Sequence, residues 1–168
     1  MPHDPESTPP DREGASTGPH RFHMDGWISC APFERLLHIE IVEAANGRAV
    51  LRMPFHIEFA QGAGLMHGGA LVGLADTAAV MAIKSVLAPQ THFATVTMAV
   101  EYQRPVRQGI VTARSQVAAV NDREWEGRTQ VYDDQAQPVM AFRATFKIAR
   151  DARIRDISCG DAAAETEP

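Results

Sequence analysis

The chain has 168 residues, 45% of them hydrophobic, and a formal net charge of −5 at pH 7. This is the length of one domain with enough apolar material for a core, which excludes a disordered protein. A negative chain without clustered Lys and Arg lacks the footprint for nucleic acid, and no uninterrupted apolar run approaches the ~20 residues of a membrane span.

Residues 1–25 are rich in Pro, Asp, Glu, Ser, Thr and Gly, and residues 151–168 also hold little to bury. Both read as disordered, a leader and a tail around a single domain at 26–150. The leader lacks the basic start and apolar stretch of a signal peptide. Cys30 and Cys159 stand far apart, outside any metal-ligand spacing, which fits a reducing compartment and a cytoplasmic protein. His3, His20 and His23 have no Cys or acid cluster beside them, so no metal is expected there.

The ordered part opens at Pro32 to Leu37 with a short helical turn. Ile39 and Ile41 then alternate with polar or exposed positions, Asn46-Gly47 supplies a turn, and Ala49, Leu51 and Met53 alternate with Arg48, Val50 and Arg52, so the segment reads as a β-hairpin. From His67 to about Leu87 the pattern becomes helical, and the apolar residues leave hardly any polar face, so this helix must be buried almost all round. Four strands follow at about 94–103, 110–120, 125–133 and 139–149. The last is the clearest, with Met140, Phe142, Ala144, Phe146 and Ile148 on one face and Ala141, Arg143, Thr145 and Lys147 on the other. Trp27 and Trp125 read as packing residues. The order of elements implies an α+β fold, a curled antiparallel β-sheet wrapped around one long central helix.

That helix carries one acid, Asp76, among Leu74, Ala75, Ala78 and Ala79. Burying a carboxylate costs several kcal/mol unless it is paired, wetted or protonated, roughly the penalty per buried ion, so Asp76 is a site candidate; a structural polar network is the other reading. At the helix start, His67-Gly68-Gly69 leaves N–H groups without intrahelical partners at the positive end of the macrodipole. Such groups could hold a carbonyl oxygen as charge develops on it, although two glycines also simply permit a tight turn or close packing. Nine residues at ~100° each place His67 and Asp76 on opposite faces, ~13 Å apart along the axis. They cannot act together in one chain, so a site using both ends needs a second helix packed across a two-fold axis.

His67-Gly68-Gly69-Ala70-Leu71-Val72-Gly73-Leu74-Ala75-Asp76-Thr77-Ala78, with Pro32 to Leu37, Gly47 to Pro54 and Arg104-Pro105-Val106, resembles the hotdog-fold acyl-CoA thioesterases of the phenylacetate-degradation and 4-hydroxybenzoyl-CoA thioesterase type, over roughly residues 30–149. The resemblance implies hydrolysis of an acyl-CoA by a homodimer or homotetramer with its active site at the subunit interface, without a cofactor. It implies Asp76 as general base or nucleophile, the Gly68 N–H polarising the thioester carbonyl beside His67 and Gly69, and Gln61 positioning carbonyl or water. Thr95 would hold the water beside the acid, a match made through a one-residue shift in alignment. Gln61 stands where some members have Asn, and Asp76 where some have Glu. Arg104, with Arg107 across Pro105, is placed to meet the phosphates of CoA. Two other readings are a hotdog hydratase or dehydratase, which the His67 to Asp76 separation disfavours, and a non-catalytic acyl-CoA-binding protein, against which the helix acid speaks.

Overall fold

The computed structural model describes residues 20, 22–153 and 157–159, with side chains described through residue 150. In chain order the elements are β1 (Phe22–Met24), α1 (Pro32–Leu36), β2 (Glu40–Ala45), β3 (Arg48–Pro54), a 3-10 turn (Ile57–Phe59), α2 (Gly68–Lys84), β4 (Thr91–Tyr102), β5 (Ile110–Asn121), β6 (Glu124–Tyr132), β7 (Pro138–Arg153) and β8 (Ile157–Cys159). Six strands form one antiparallel sheet in the order β2-β3-β5-β6-β7-β4. This is the hotdog arrangement expected from the sequence, a single sheet wrapped on one long helix.

Local chemistry accounts for the elements. Asn46 and Gly47 both take positive φ, 52° and 74°, the conformation of a two-residue type I′ hairpin turn. On β7, Met140, Phe142, Ala144 and Phe146 are buried while Arg143 and Lys147 are exposed, the period of a half-buried strand. α2 packs chiefly on β3, β5 and β6. Its half-buried positions Val72, Gly73, Asp76, Val80 and Lys84 recur every three or four residues and form one stripe, the side of the helix that its own sheet leaves uncovered.

Gly127 on β6 allows the sheet to approach α2. A Cβ there would lie 2.9 Å from Phe146 Cε2 and 3.1 Å from the Ala79 Cβ. We expect Gly127→Val to cost about 1–3 kcal/mol by overpacking, read as a lower urea midpoint with an unchanged m-value; an unchanged midpoint would show that this contact does not set the helix-to-sheet distance.

β1 pairs in parallel with β8, and Met24 is buried. Both strands fall in segments that composition assigned to the disordered leader and tail, and β7 runs past residue 150 to Arg153. The remainder of the leader and tail, with His3, lies outside the described residues.

Candidate active site

Asp76 lies in the middle of α2 on the half-buried stripe, two turns past the glycines. Its Oδ1 accepts a hydrogen bond from Thr95 Oγ1 at 3.0 Å. Thr95 is reached because β4 runs along the edge of the sheet beside the stripe, with Thr91, Phe93 and Thr95 on its more buried side. Directly after Thr95 the pairing with β7 slips between Thr95 and Thr97. A bulge inserts one residue and reverses the alternation of the strand beyond it.

A second carboxylate stands close by. Gly73 has no Cβ, and one placed there would meet Leu37 Cδ1 and Phe33 Cε1 at 3.2 Å each. This lets α1 settle against α2 and brings Glu34 to the site. Glu34 Oε1 accepts from Thr77 Oγ1 at 3.4 Å, and its buried Oε2 has no hydrogen-bond partner among the described residues. Burial pushes the Asp76 carboxyl above its ordinary pKa, the Thr95 hydroxyl pulls it part of the way back, and the nearby Glu34 raises it further.

The start of α2 forms another cluster. His67 is the N-cap, and its Nδ1 accepts from the Gly69 N–H at 2.9 Å; imidazole is an unusual cap, since Ser, Thr, Asp and Asn dominate that position. The bond gives the Gly69 N–H a partner within the helix start. Ala70 and Leu71 donate to the His67 carbonyl. Gly68, the first helical residue, has no acceptor for its N–H among the described residues.

Gln61, His67, Gly68, Gly69 and Arg104 line one surface pocket of about 540 Å³. Gln61 folds its loop, its Oε1 accepting from the Ala63 N–H at 2.6 Å. Arg104 Nη1 donates to the Pro138 carbonyl at 2.8 Å, whereas Arg107 does not line this pocket. Tyr102, which the sequence did not single out, also lines it; its hydroxyl would lie 2.7 Å from a Cβ on Gly68. The candidate residues therefore fall into two groups, Asp76 with Thr95 and Glu34 midway along α2, and Gly68 with Gln61, His67 and Arg104 at its start.

A family model described as the thioesterase superfamily matches residues 63–139, which hold the start of α2, Asp76 and Thr95. A protein of Halobacterium salinarum, provisionally named an esterase, is 30% identical over 125 residues, covering 68% of this chain and 83% of its own. Among solved structures, a conserved protein of Pseudomonas aeruginosa superposes with a TM-score of 0.68 at 24% identity, over 71% of this chain and 95% of that one. A thioesterase of Haemophilus influenzae does so with a TM-score of 0.65 at 24% identity, over 70% of this chain and 82% of that one. The family match and the relative together indicate an esterase or thioesterase enzyme. The chain belongs to the thioesterase superfamily and has its hotdog fold.

Proposed function

We propose that the protein hydrolyses an acyl-CoA thioester in a site shared by two subunits, one supplying Asp76 and the other the Gly68 N–H. The observation that carries this reading is a carboxylate held in an otherwise apolar helix, with the Thr95 hydroxyl on its Oδ1 and, two turns away, a Gly68 N–H that has no acceptor among the described residues. Eight residues put ~12 Å of helix between Gly68 and Asp76, too far for both to act on one carbonyl. A two-fold partner closes that distance. β4 offers the seam, because it is an edge strand of twelve residues with Val96, Met98 and Tyr102 about half exposed. Such an edge is a template for pairing with a second chain.

In this site the thioester carbonyl oxygen accepts from the Gly68 N–H, which stabilises the oxyanion as it forms. Asp76 takes a proton from water held beside it and Thr95, and the water oxygen bonds to the carbonyl carbon. The tetrahedral adduct collapses, the C–S bond breaks with its electron pair on sulfur, and the proton returns to give the CoA thiol and the free acid. Attack by Asp76 itself would give an anhydride that water opens, with the same products. Both routes need Asp76 ionised. Gln61 would orient the carbonyl or water, and Arg104, in the same pocket as Gly68, would meet a CoA phosphate.

The direct test follows thiol release from a panel of aryl and aliphatic acyl-CoAs. Hydrolysis of at least one, absent from a parallel series of oxygen esters of the same acids, is the expected result. Turnover of the oxygen esters alone would overturn the reading.

The raised Asp76 pKa fixes the pH dependence. Only the carboxylate accepts a proton, so kcat should fall as pH drops through the raised Asp76 pKa. Glu34→Gln removes one of the causes that raise it, so the acid limb of the kcat profile should move to lower pH. A limb that stays in place or moves up would show that Glu34 does not act on Asp76.

A further inference from the structure

Thr129 on β6 faces α2, its hydroxyl donating to the Ala75 carbonyl at 3.1 Å, so Arg128 beside it points to the other side of the sheet. Arg48 on β3, Arg114 on β5 and Arg143 on β7 share that side, and all four are exposed. The strand register brings them together although the sequence spreads them from 48 to 143. Arg48 pairs with Gln116, Gln116 with Arg128 and Arg128 with Arg143, while Arg114 lies two residues along β5 from that row. They line a hollow of about 630 Å³ whose lining residues all belong to the sheet. Three steps of ~4.8 Å between strands, and ~7 Å along one, spread the arginines over a field of about 14 Å by 7 Å.

Arg128 and Arg143 stand directly opposite one another, where like charges destabilise a strand pair. Arg128 bonds Glu126 at 2.6 Å, whereas Arg48, Arg114 and Arg143 form no ion pair or side-chain hydrogen bond among the described residues. Within the lining the four arginines meet one carboxylate, Glu43. On a chain of formal net charge −5, this is a local surplus of positive charge that attracts anions. We propose that this face is a second binding site, separate from Asp76, for a linear chain of phosphates. Each guanidinium can engage two phosphate oxygens, and four of them over about 14 Å span more than a single phosphate group. The one ring in the lining, Phe142, is 1% exposed. A nucleobase therefore has nothing to stack on, and a protein partner lacks the aromatic anchors of a hot spot. A second copy docked here about a two-fold axis would set the same arginines against each other. The ligand that fits is all charge, either inorganic polyphosphate or the phosphate tail of a nucleotide.

Calorimetry on the full-length protein tests the site. Inorganic tripolyphosphate should bind at least tenfold more tightly than orthophosphate, and ATP within about fivefold of tripolyphosphate, since the base adds no contact. ATP bound more tightly than that would mean base recognition and contradict a site for phosphates alone. The double variant Arg114→Gln, Arg143→Gln should lose at least tenfold in tripolyphosphate affinity, while Arg150→Gln, a loss of one positive charge outside the hollow, should lose nothing. The substituted side chains are exposed, so the melting temperature of the double variant should hold. Its molar mass in light scattering, and its kcat/KM for any acyl-CoA that the protein hydrolyses, should also match wild type. A fall in kcat/KM would give these arginines to the CoA of the substrate, and a smaller oligomer would make the face a subunit contact. Hexaglutamate bound as tightly as tripolyphosphate would make the partner an acidic protein. Each of these results overturns the assignment, as does equal binding of tripolyphosphate by wild type and double variant.

Discussion

Asp76→Asn is expected to lower kcat by roughly 10²-fold or more while acyl-CoA still binds, because the amide keeps shape and polarity but cannot accept a proton from water. The same substitution should not lower the melting temperature at neutral pH, and we expect a rise. The physical reason is the direction of the Asp76 shift. Burial raises its pKa in the folded state, so the favourable contribution of the protonated form is complete below the unfolded pKa and is lost as pH rises through the folded one. At neutral pH the wild type therefore carries a half-buried charge that the asparagine variant does not. The difference in melting temperature should shrink as pH falls into the acid range. Near-normal kcat with a lowered melting temperature would make Asp76 a structural residue.

Gly68→Val is expected to reduce kcat/KM by about 10²-fold or more, in the range found when an oxyanion donor is lost. The side chain would not remove the N–H, but it would stand between that N–H and an incoming carbonyl. The fold should survive, because the atom a Cβ meets first is the Tyr102 hydroxyl, the far end of a flexible side chain rather than backbone. Circular dichroism and the melting temperature should stay close to wild type. Normal kcat/KM in the folded variant would take the carbonyl away from the start of α2.

Much of this arrangement was legible in the sequence because it is written in local patterns. The Asn46-Gly47 turn, the apolar run of α2 and the alternation of Met140 to Phe146 each specify one element from neighbouring residues. The spacing of His67 and Asp76 puts them on opposite faces of α2, far apart along its axis. What escaped depends on distant segments meeting. Glu34 reaches Asp76 only because Gly73 lets α1 lie against α2. Thr95 meets Asp76 from a strand whose register against β7 shifts on both sides of it, between Thr91 and Phe93 and between Thr95 and Thr97. Trp27 reads as a packing residue and does pack, edge to face on Phe93, but nothing near it in sequence shows that its indole N–H ends on Lys84, 57 residues away. The pairing of β1 with β8 joins two three-residue strands from opposite ends of the chain, too short for any period to show. His67 drew notice as a member of the site motif, whereas its imidazole caps the helix and takes up the Gly69 N–H, a role residue type does not signal.

The shared site is tested most directly by mixing the two inactive parents. Differently tagged Asp76→Asn and Gly68→Val chains, co-expressed and purified as the mixed dimer, place both lesions in one site and leave the other with an intact Asp76 and an intact Gly68. The mixed dimer should recover about half the wild-type kcat per dimer, although each parent alone is nearly inactive. A mixed dimer no more active than its parents would contradict a site built from Asp76 of one subunit and Gly68 of the other.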